Sequence, residues 1–332
     1  MYALTEDDFR SIEYLNPESF NQLYGRSPVL LPYKNSNDEW KIPFVRNNKV
    51  IFIDGIPQAS VYCAKEIDDA TTDIYLNLLD FIYKRSSYPY IVKLLDSLKY
   101  DVHKLFTINA KIDILYKYNQ DKECMSDLIQ SEIEYLFIVC KSIYDSLQNM
   151  ITKFWDRNVI VIRKGYIKKK LPDTYSKIIY KNKELSSLNE IIERYSLPEP
   201  LANYYYESGR LFDSIKTVRD DIVHHGKGID YIFSYEKGFA VTEESTIYKN
   251  FDVLKKNSQN QNNLISIRPM IKYLITEMLS LLDNYTKSIN SVLKFPMETI
   301  TDYKIYLRIP QIKYYNRMVK ELEKTEWWHD TA

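Results

Sequence analysis

The sequence is poor in the residues that build tight turns, disulfides and metal sites. Its 332 residues include seven glycines, three cysteines and four histidines. So little glycine argues against a loop-rich or tightly turned β architecture and favours helices. The cysteines are odd in number, widely spaced and without a CxxC pair, so neither a disulfide framework nor a zinc site is indicated. A reducing cytosol is therefore the expected compartment.

Long hydrophobic runs and an excess of charge of one sign are also missing. The longest apolar run, around YLFIVC, is far below the ~18 residues of a membrane-spanning helix. The N-terminal segment MYALTEDDFR is acidic where a signal peptide would be basic. With 45 basic and 45 acidic residues, no global field marks the chain as a general binder of nucleic acid or membrane. We expect a cytoplasmic protein without membrane association, in which any contact with nucleic acid is local.

Helical periodicity is what the sequence has in abundance. Apolar residues repeat at three- and four-residue steps over residues 129–154, 201–222 and 271–292, which predicts three long amphipathic helices. A shorter helix is predicted at 188–195, where Ser187 and Glu190 have capping-box spacing. Each helix must bury its apolar face against another, so these segments predict a helical bundle.

The other segments predict β structure and further helices. Residues 40–62 contain two β-rich runs separated by Asn47 and Asn48, which is typical of a hairpin. Two helices are predicted on either side of Pro89. Insertions at 158–170 and 231–241 each contain a Lys-Gly turn and predict two more hairpins.

The predicted fold class is therefore mainly α, with β-hairpin insertions and a mixed α+β N-terminal region. We predict three parts: the mixed N-terminal region at residues 1–125, the helical bundle at 126–295 and a C-terminal extension at 296–332. The extension begins at Pro296 and is predicted to contain one strand and a last helix.

The end of the second long helix holds a pair of histidines in a chain that has few. His224 and His225 stand immediately before Gly226, and Asp220 and Asp221 each precede one of them by four residues. This spacing places a carboxylate on the same helix face as each imidazole, where it can orient the ring and raise its basicity. The alternative is structural: cations in a last turn complement the helix dipole by roughly 0.3–1 kcal/mol, and a following glycine is an ordinary C-cap.

Arg219 lies at the edge of the apolar face of the same helix. A half-buried guanidinium needs a partner, which is either a structural ion pair with Glu132 or Glu134 or a phosphate bound at two points. In a straight helix the side chains of Arg219 and His224 project about 140° apart. We therefore expect that the helix end unwinds or that two copies of the chain meet there.

Arg219, the polar Asp220, three further residues and His224 resemble the R-(N/D/H)-x-x-x-H active-site motif of the HEPN ribonucleases. The context is similar too, because the motif stands at the end of a long amphipathic helix and is followed by glycine. The resemblance covers residues 126–295. His225 also fits the spacing that the family allows, although the position of the polar residue makes His224 the closer match.

The resemblance implies a HEPN-like helical bundle that cleaves RNA without a metal or cofactor, as a homodimer whose two motifs face each other across a cleft. We expect the contact near Ile222 and Val223. RNA carries its own nucleophile in the 2′-hydroxyl, so a base, an acid and cations suffice. The family also suggests a toxin or antiviral effector of abortive infection, with an inhibitory or sensor partner. The rival interpretation is a non-catalytic HEPN-like module that dimerises or binds nucleotide or RNA.

A basic run inside the first insertion is the candidate RNA-binding segment. Its residues are suited to contact backbone phosphates and to stack a base: Arg163, Lys164, Tyr166, Lys168, Lys169 and Lys170. The alternative is a solvated hairpin. A metal-dependent phosphohydrolase is disfavoured, because it needs dispersed His and Asp ligands and the chain has only the pair His329–Asp330.

Overall fold

A computed structural model describes residues 4–118, 124–158, 168–224, 229, 231–235, 238–255 and 263–324. The described chain is mostly helical with some β structure, as predicted, and a 3₁₀ helix spans Pro17–Gln22. The helices are α1 (Glu6–Arg10), α2 (Asn77–Arg85), α3 (Pro89–Tyr118), α4 (Met125–Arg157), α5 (Tyr175–Ile179), α6 (Leu188–Tyr195), α7 (Glu199–His224), α8 (Thr246–Asn250), α9 (Asp252–Lys255), α10 (Arg268–Val292) and α11 (Ile312–Lys324). The strands are β1 (Tyr33–Lys34), β2 (Trp40–Arg46), β3 (Lys49–Asp54), β4 (Val61–Ala64), β5 (Asp73–Tyr75), β6 (Tyr180–Lys181), β7 (Glu184–Leu185), β8 (Phe233–Tyr235), β9 (Gly238–Val241), β10 (Ile265–Ser266) and β11 (Lys304–Arg308).

Residue contacts divide the chain into two units, each assembled from three separate segments. The first comprises Met1–Leu95, Lys153–Tyr166 and Leu282–Pro310, and the second comprises Asp96–Thr152, Ile167–Leu281 and Gln311–Ala332. This division differs from the predicted breaks after residues 125 and 295. The reason is that the division passes through the interior of α3, α4 and α10, whereas a sequence pattern indicates a break only where a periodic stretch starts or stops.

The first unit contains a six-stranded sheet in the order β3-β2-β1-β4-β11-β5. The β1–β4 pair is parallel and the other neighbours are antiparallel. The hairpin predicted at Asn47 and Asn48 is confirmed: both have a left-handed backbone, with φ of 51° and 61°, as a two-residue hairpin turn of this kind requires. The strand predicted after Pro296 is also present, as β11, but it lies inside the sheet and is not an appended extension.

A buried ion pair holds the edge strand β5 against β11. The guanidinium of Arg308 donates from Nε to Oδ1 of Asp73 at 2.8 Å and from Nη2 to Oδ2 at 2.9 Å. The Tyr62 hydroxyl donates to the same carboxylate at 2.6 Å. Burial raises the pKa of the Asp73 carboxyl, but the hydrogen bonds from Arg308 and Tyr62 outweigh it, so the pKa lies below its ordinary value. Asp73 is thus held ionised inside the unit.

The long helices that the periodicity predicts supply much of the second unit, and the last part of both α4 and α10 belongs to the first unit. Every residue of the α4 stripe is buried, as are those of the α10 stripe: Ile129, Ile133, Leu136, Cys140, Ile143, Leu147, Met150 and Phe154 in α4, and Ile271, Leu274, Met278, Leu281, Tyr285 and Val292 in α10. Aromatic rings connect α4 to α7, since Tyr144 lies edge-on to Phe212 with centroids 5.1 Å apart. The Tyr144 hydroxyl also donates to the carbonyl of Ser208 at 3.2 Å.

The shorter elements follow their local signals. The capping box of Ser187 and Glu190 is present at the start of α6. The insertion predicted at 231–241 forms the antiparallel pair β8–β9, extended by β10. Most of the insertion predicted at 158–170 lies outside the described residues. No helix in the described part of the chain is long and apolar enough to span a membrane.

Candidate functional site

The helix α7 carries the candidate motif in its last two turns. Pro198 precedes it and accepts the backbone N–H groups of Leu201 and Ala202, each at 3.0 Å. Its inner face is buried through Tyr205, Phe212, Ile215 and Val218. The helix is described as far as His224, so His225 and Gly226 lie outside the described residues. The buried face fixes the helix, and its end is left half-buried to exposed.

Arg219 and His224 are in contact within one chain. Nη1 of Arg219 lies 3.0 Å from Nε2 of His224 and 2.9 Å from Oδ1 of Asp220. The expectation that one copy alone does not bring these two groups together is therefore wrong. The helix remains regular to His224. Although Arg219 and His224 leave the helix axis in different directions, the arginine side chain is long enough to reach along and around the helix surface to the imidazole.

The contact favours one form of the imidazole. A guanidinium carries donors and no acceptor, so Nε2 of His224 must be the acceptor. This is the neutral imidazole with its proton on Nδ1. The lone pair that a general base uses is thus the one that Arg219 occupies.

Asp220 is held by two cations. Its carboxylate accepts from Nζ of Lys216 at 2.7 Å and from Nη1 of Arg219 at 2.9 Å. Burial raises the pKa of Asp220, but the two hydrogen bonds and the two positive charges outweigh it and leave the pKa below its ordinary value. The spacing predicts that this carboxylate contacts His224. In the structure it contacts Arg219 instead, and Arg219 in turn contacts the imidazole. The counterpart pair of Asp221 and His225 includes a residue outside the described part.

Two neighbours of this cluster were missed in the sequence. Lys216 stands four residues before Asp220, which is the helix-face spacing of an ion pair, so the signal was there. Tyr180 comes from β6, and its hydroxyl donates to Asp213 while Nζ of Lys216 lies 6.0 Å from its ring centre. Burial, together with the hydrogen bond to Asp213, raises the pKa of Tyr180. No local pattern connects Tyr180 to α7.

The two glutamates considered as structural partners of Arg219 have other contacts. Glu132 forms an ion pair with Lys111 at 2.9 Å. Oε1 of Glu134 accepts from the backbone N–H of Ile229 at 3.2 Å. Glu134 therefore ties the chain that follows α7 to α4, and within the described residues Arg219 contacts Asp220 and His224.

The predicted RNA-binding run is described only in part. Arg163, Lys164 and Tyr166 lie outside the described residues. Lys169 donates from Nζ to the carbonyls of Glu193 and Arg194 at 3.1 and 3.3 Å, which is the role of a cation at the C-terminal end of a helix, here α6. Lys168 is half-buried and Lys170 is exposed. Contact of this run with RNA stays a prediction.

Taken together, the end of α7 presents a guanidinium, an ammonium, a carboxylate and an imidazole at the edge of the bundle. Arg219 and Lys216 are about a third exposed, at 30% and 36% of the side chain. Such a group can bind an oxyanion and exchange a proton with a bound hydroxyl. The described chain is thus a mostly helical protein with a mixed sheet and a polar cluster at one helix end.

Comparison of the chain with protein-family models, with curated proteins and with solved structures finds no match in any of the three. The HEPN resemblance accordingly rests on the motif residues and their position on α7.

Proposed function

We propose that the chain is a metal-independent endoribonuclease of HEPN type. One observation carries the proposal: Nη1 of Arg219 lies 3.0 Å from Nε2 of His224 at the exposed end of a long bundle helix. The motif pairs a phosphate-binding group with a base, and in one chain these two groups are adjacent. Asp220 supports the pair because it holds the guanidinium from the other side.

The reaction that fits this arrangement uses the 2′-hydroxyl of RNA as nucleophile. An entering phosphate draws Arg219 away from Nε2, which frees the lone pair of His224 to accept the 2′-hydroxyl proton. The 2′-oxygen then bonds to phosphorus while Arg219 and Lys216 bind the charged oxygens. The bond from phosphorus to the 5′-oxygen breaks, and an imidazolium returns a proton to that oxygen. The products end in a 2′,3′-cyclic phosphate and a 5′-hydroxyl.

We also propose that the chain acts as a homodimer, in which the second chain has a different role from the one expected from the sequence. Because Arg219 and His224 already meet in one chain, a second chain is not needed to complete the pair. Its contribution is the cleft and a second His224, which acts as the acid in its protonated, imidazolium form. Val223 is 46% exposed beside the motif, which leaves this helix end accessible for a two-fold contact. The proposal also includes action as a toxin or antiviral effector, controlled by an inhibitory or sensor partner.

Growth of bacteria expressing the chain tests the proposal in cells. We expect the wild type to slow growth and His224→Ala and Arg219→Ala to relieve the effect while remaining folded. Arg210→Ala is the matched control, because Arg210 is an exposed arginine on the same helix. Equal toxicity of the wild type and both motif variants would show that the motif is not required for toxicity, and would favour the non-catalytic module.

Mixing of chains tests the dimer separately. Adding inactive His224→Ala chain to the wild type should lower RNA cleavage by more than dilution, because mixed dimers lack one imidazole. Light scattering at the assay concentration should show a dimer. Full activity from a monomer would contradict the shared cleft.

A further inference from the structure

An open cavity of about 910 Å³ lies within the first unit. This volume falls in the range of small-molecule sites, about 300–1,000 Å³. Its described lining combines aromatic rings with two cations, and none of these lining residues is acidic: Gln22, Tyr24, Gly25, Tyr88, Pro89, Tyr90, Arg157, Asn158, Lys294, Phe295, Pro296 and Met297. It shares no lining residue with the Arg219 cluster.

Two cations, Arg157 and Lys294, line the cavity. Arg157 is the last residue of α4, and its Cζ lies 4.0 Å from the centre of the Tyr90 ring. Tyr90 in turn stacks on Tyr88 with centroids 5.1 Å apart and an interplanar angle of 13°. Within the described residues neither Arg157 nor Lys294 forms an ion pair. A guanidinium that stacks on a ring by its face keeps its N–H donors for a phosphate.

A buried arginine fixes two walls of the cavity relative to each other. Arg26 is 4% exposed and donates to the carbonyl of Gln22 at 3.2 Å and to that of Met297 at 2.7 Å. Both carbonyls belong to lining residues. Beside Tyr88, the backbone N–H of Ser27 donates to the carbonyl of Ser87 at 2.9 Å and the Ser87 hydroxyl donates back at 2.6 Å. A site built in this way loses little entropy when a ligand binds.

The remaining lining includes one packed aromatic ring, Phe295, and one exposed ring, Tyr24. Phe295 packs edge-on against Phe81 and Phe154, with centroids 4.7 and 5.4 Å away, so the segment that carries Lys294 is tied to the core. Tyr24 is 72% exposed in a left-handed turn, with φ of 47° followed by 83° at Gly25. An exposed ring that lines the same cavity as two cations is the combination that stacks a nucleobase and binds its phosphate.

We propose that this cavity binds a free nucleotide, with the phosphate on Arg157 and Lys294 and the base against Tyr24. Isothermal titration calorimetry with the full-length chain carrying His224→Ala, which leaves RNA uncut, tests it. The probes are AMP, GMP, CMP, UMP, adenosine, inorganic phosphate and a 5′-phosphorylated RNA decamer. We expect at least one mononucleotide to bind with a Kd on the order of 1–100 µM. Adenosine and phosphate alone should each bind at least about tenfold more weakly than that nucleotide.

Two substitutions and one matched control locate the site. Arg157→Gln should weaken nucleotide binding about tenfold or more, because a charge-assisted contact is lost. Tyr24→Ala should weaken it about fivefold or more through lost stacking. Arg46→Gln removes the same charge at an exposed position on β2 and should leave the Kd unchanged. Circular dichroism melting confirms that each variant is folded.

Four results would overturn the proposal. They are the absence of mononucleotide binding up to about 1 mM, equal affinity of Arg157→Gln and Arg46→Gln, phosphate binding as tight as that of the nucleotide, and binding of the RNA decamer without any mononucleotide. The last two would define a plain anion site and a single-strand RNA groove, respectively. The outcome is independent of RNA cleavage, since the titrations use the His224→Ala background.

Discussion

Arg219→Met removes the donor that faces Nε2 of His224 and keeps a side chain of similar length. In the wild type the donor-only guanidinium requires the proton of the neutral imidazole to be on Nδ1. In Arg219→Met the guanidinium is gone, so the imidazole proton is no longer kept on Nδ1 and is free to move to Nε2. We therefore expect the substitution to change the tautomer of His224 while α7 stays folded, because the buried face of the helix is untouched.

The size of the change follows from the exposure of the pair. A hydrogen bond to a charged group contributes about 1.5–3 kcal/mol when it is shielded from water. Arg219 is 30% exposed and His224 is exposed, so water competes for both groups and roughly 1 kcal/mol is the appropriate figure. Since 1.4 kcal/mol corresponds to a factor of ten, the tautomer ratio should shift about fivefold.

Long-range ¹H–¹⁵N NMR of histidine-labelled protein at pH 8 distinguishes the two tautomers. His224→Ala assigns the signal, and Arg210→Met serves as the control for loss of an arginine from the same helix. The wild type and Arg210→Met should show a larger fraction of the Nδ1-protonated form than Arg219→Met. The same tautomer ratio in the wild type and in Arg219→Met would refute the contact and the form of the base derived from it.

Two predictions concern the first unit. Asp73→Asn should lower the free energy of unfolding by about 1–3 kcal/mol, because the buried Arg308 guanidinium loses the charge of Asp73 and keeps Asp68 as its second carboxylate partner. Because the pKa of Asp73 is lowered, its contribution to the free energy of unfolding is complete above the ordinary carboxyl pKa and is lost as the pH falls through the lowered pKa. Urea unfolding from pH 7 to 3 should therefore show the free energies of unfolding of the wild type and the variant converging in acid. Asn48 has a left-handed backbone with φ of 61°, so Asn48→Ala should lower the free energy of unfolding by about 1 kcal/mol and Asn48→Gly should not. Equal stability of the two variants would contradict the left-handed turn.

The long helices were predictable because their signal is local. The four- and three-residue steps along α4 encode its buried face directly, and every residue of that stripe is buried. The Asn47–Asn48 turn is equally local, since its left-handed backbone is a property of two adjacent residues. The capping box at Ser187 is another example. In each case the residues that define the element are neighbours in the sequence.

The rest of the fold depends on pairs of residues far apart in the chain. Arg308 and Asp73 are 235 residues apart, and nothing near either one indicates that β11 lies between β4 and β5. At the site, the motif and the Lys216 spacing were visible, but Tyr180 was not, because its partner Asp213 lies 33 residues away. The Arg219–His224 contact was missed for another reason: the helical projection gives directions from the axis and ignores the reach of a long side chain.

The decisive test of the proposed ribonuclease is cleavage of RNA by the purified chain in EDTA, with chemical mapping of the cut ends. We expect cleavage that EDTA does not affect, with 2′,3′-cyclic phosphate and 5′-hydroxyl ends. We also expect that His224→Ala abolishes the cuts and that Arg210→Ala keeps them. Cleavage that requires a divalent ion, or unchanged cleavage by folded His224→Ala, would contradict it.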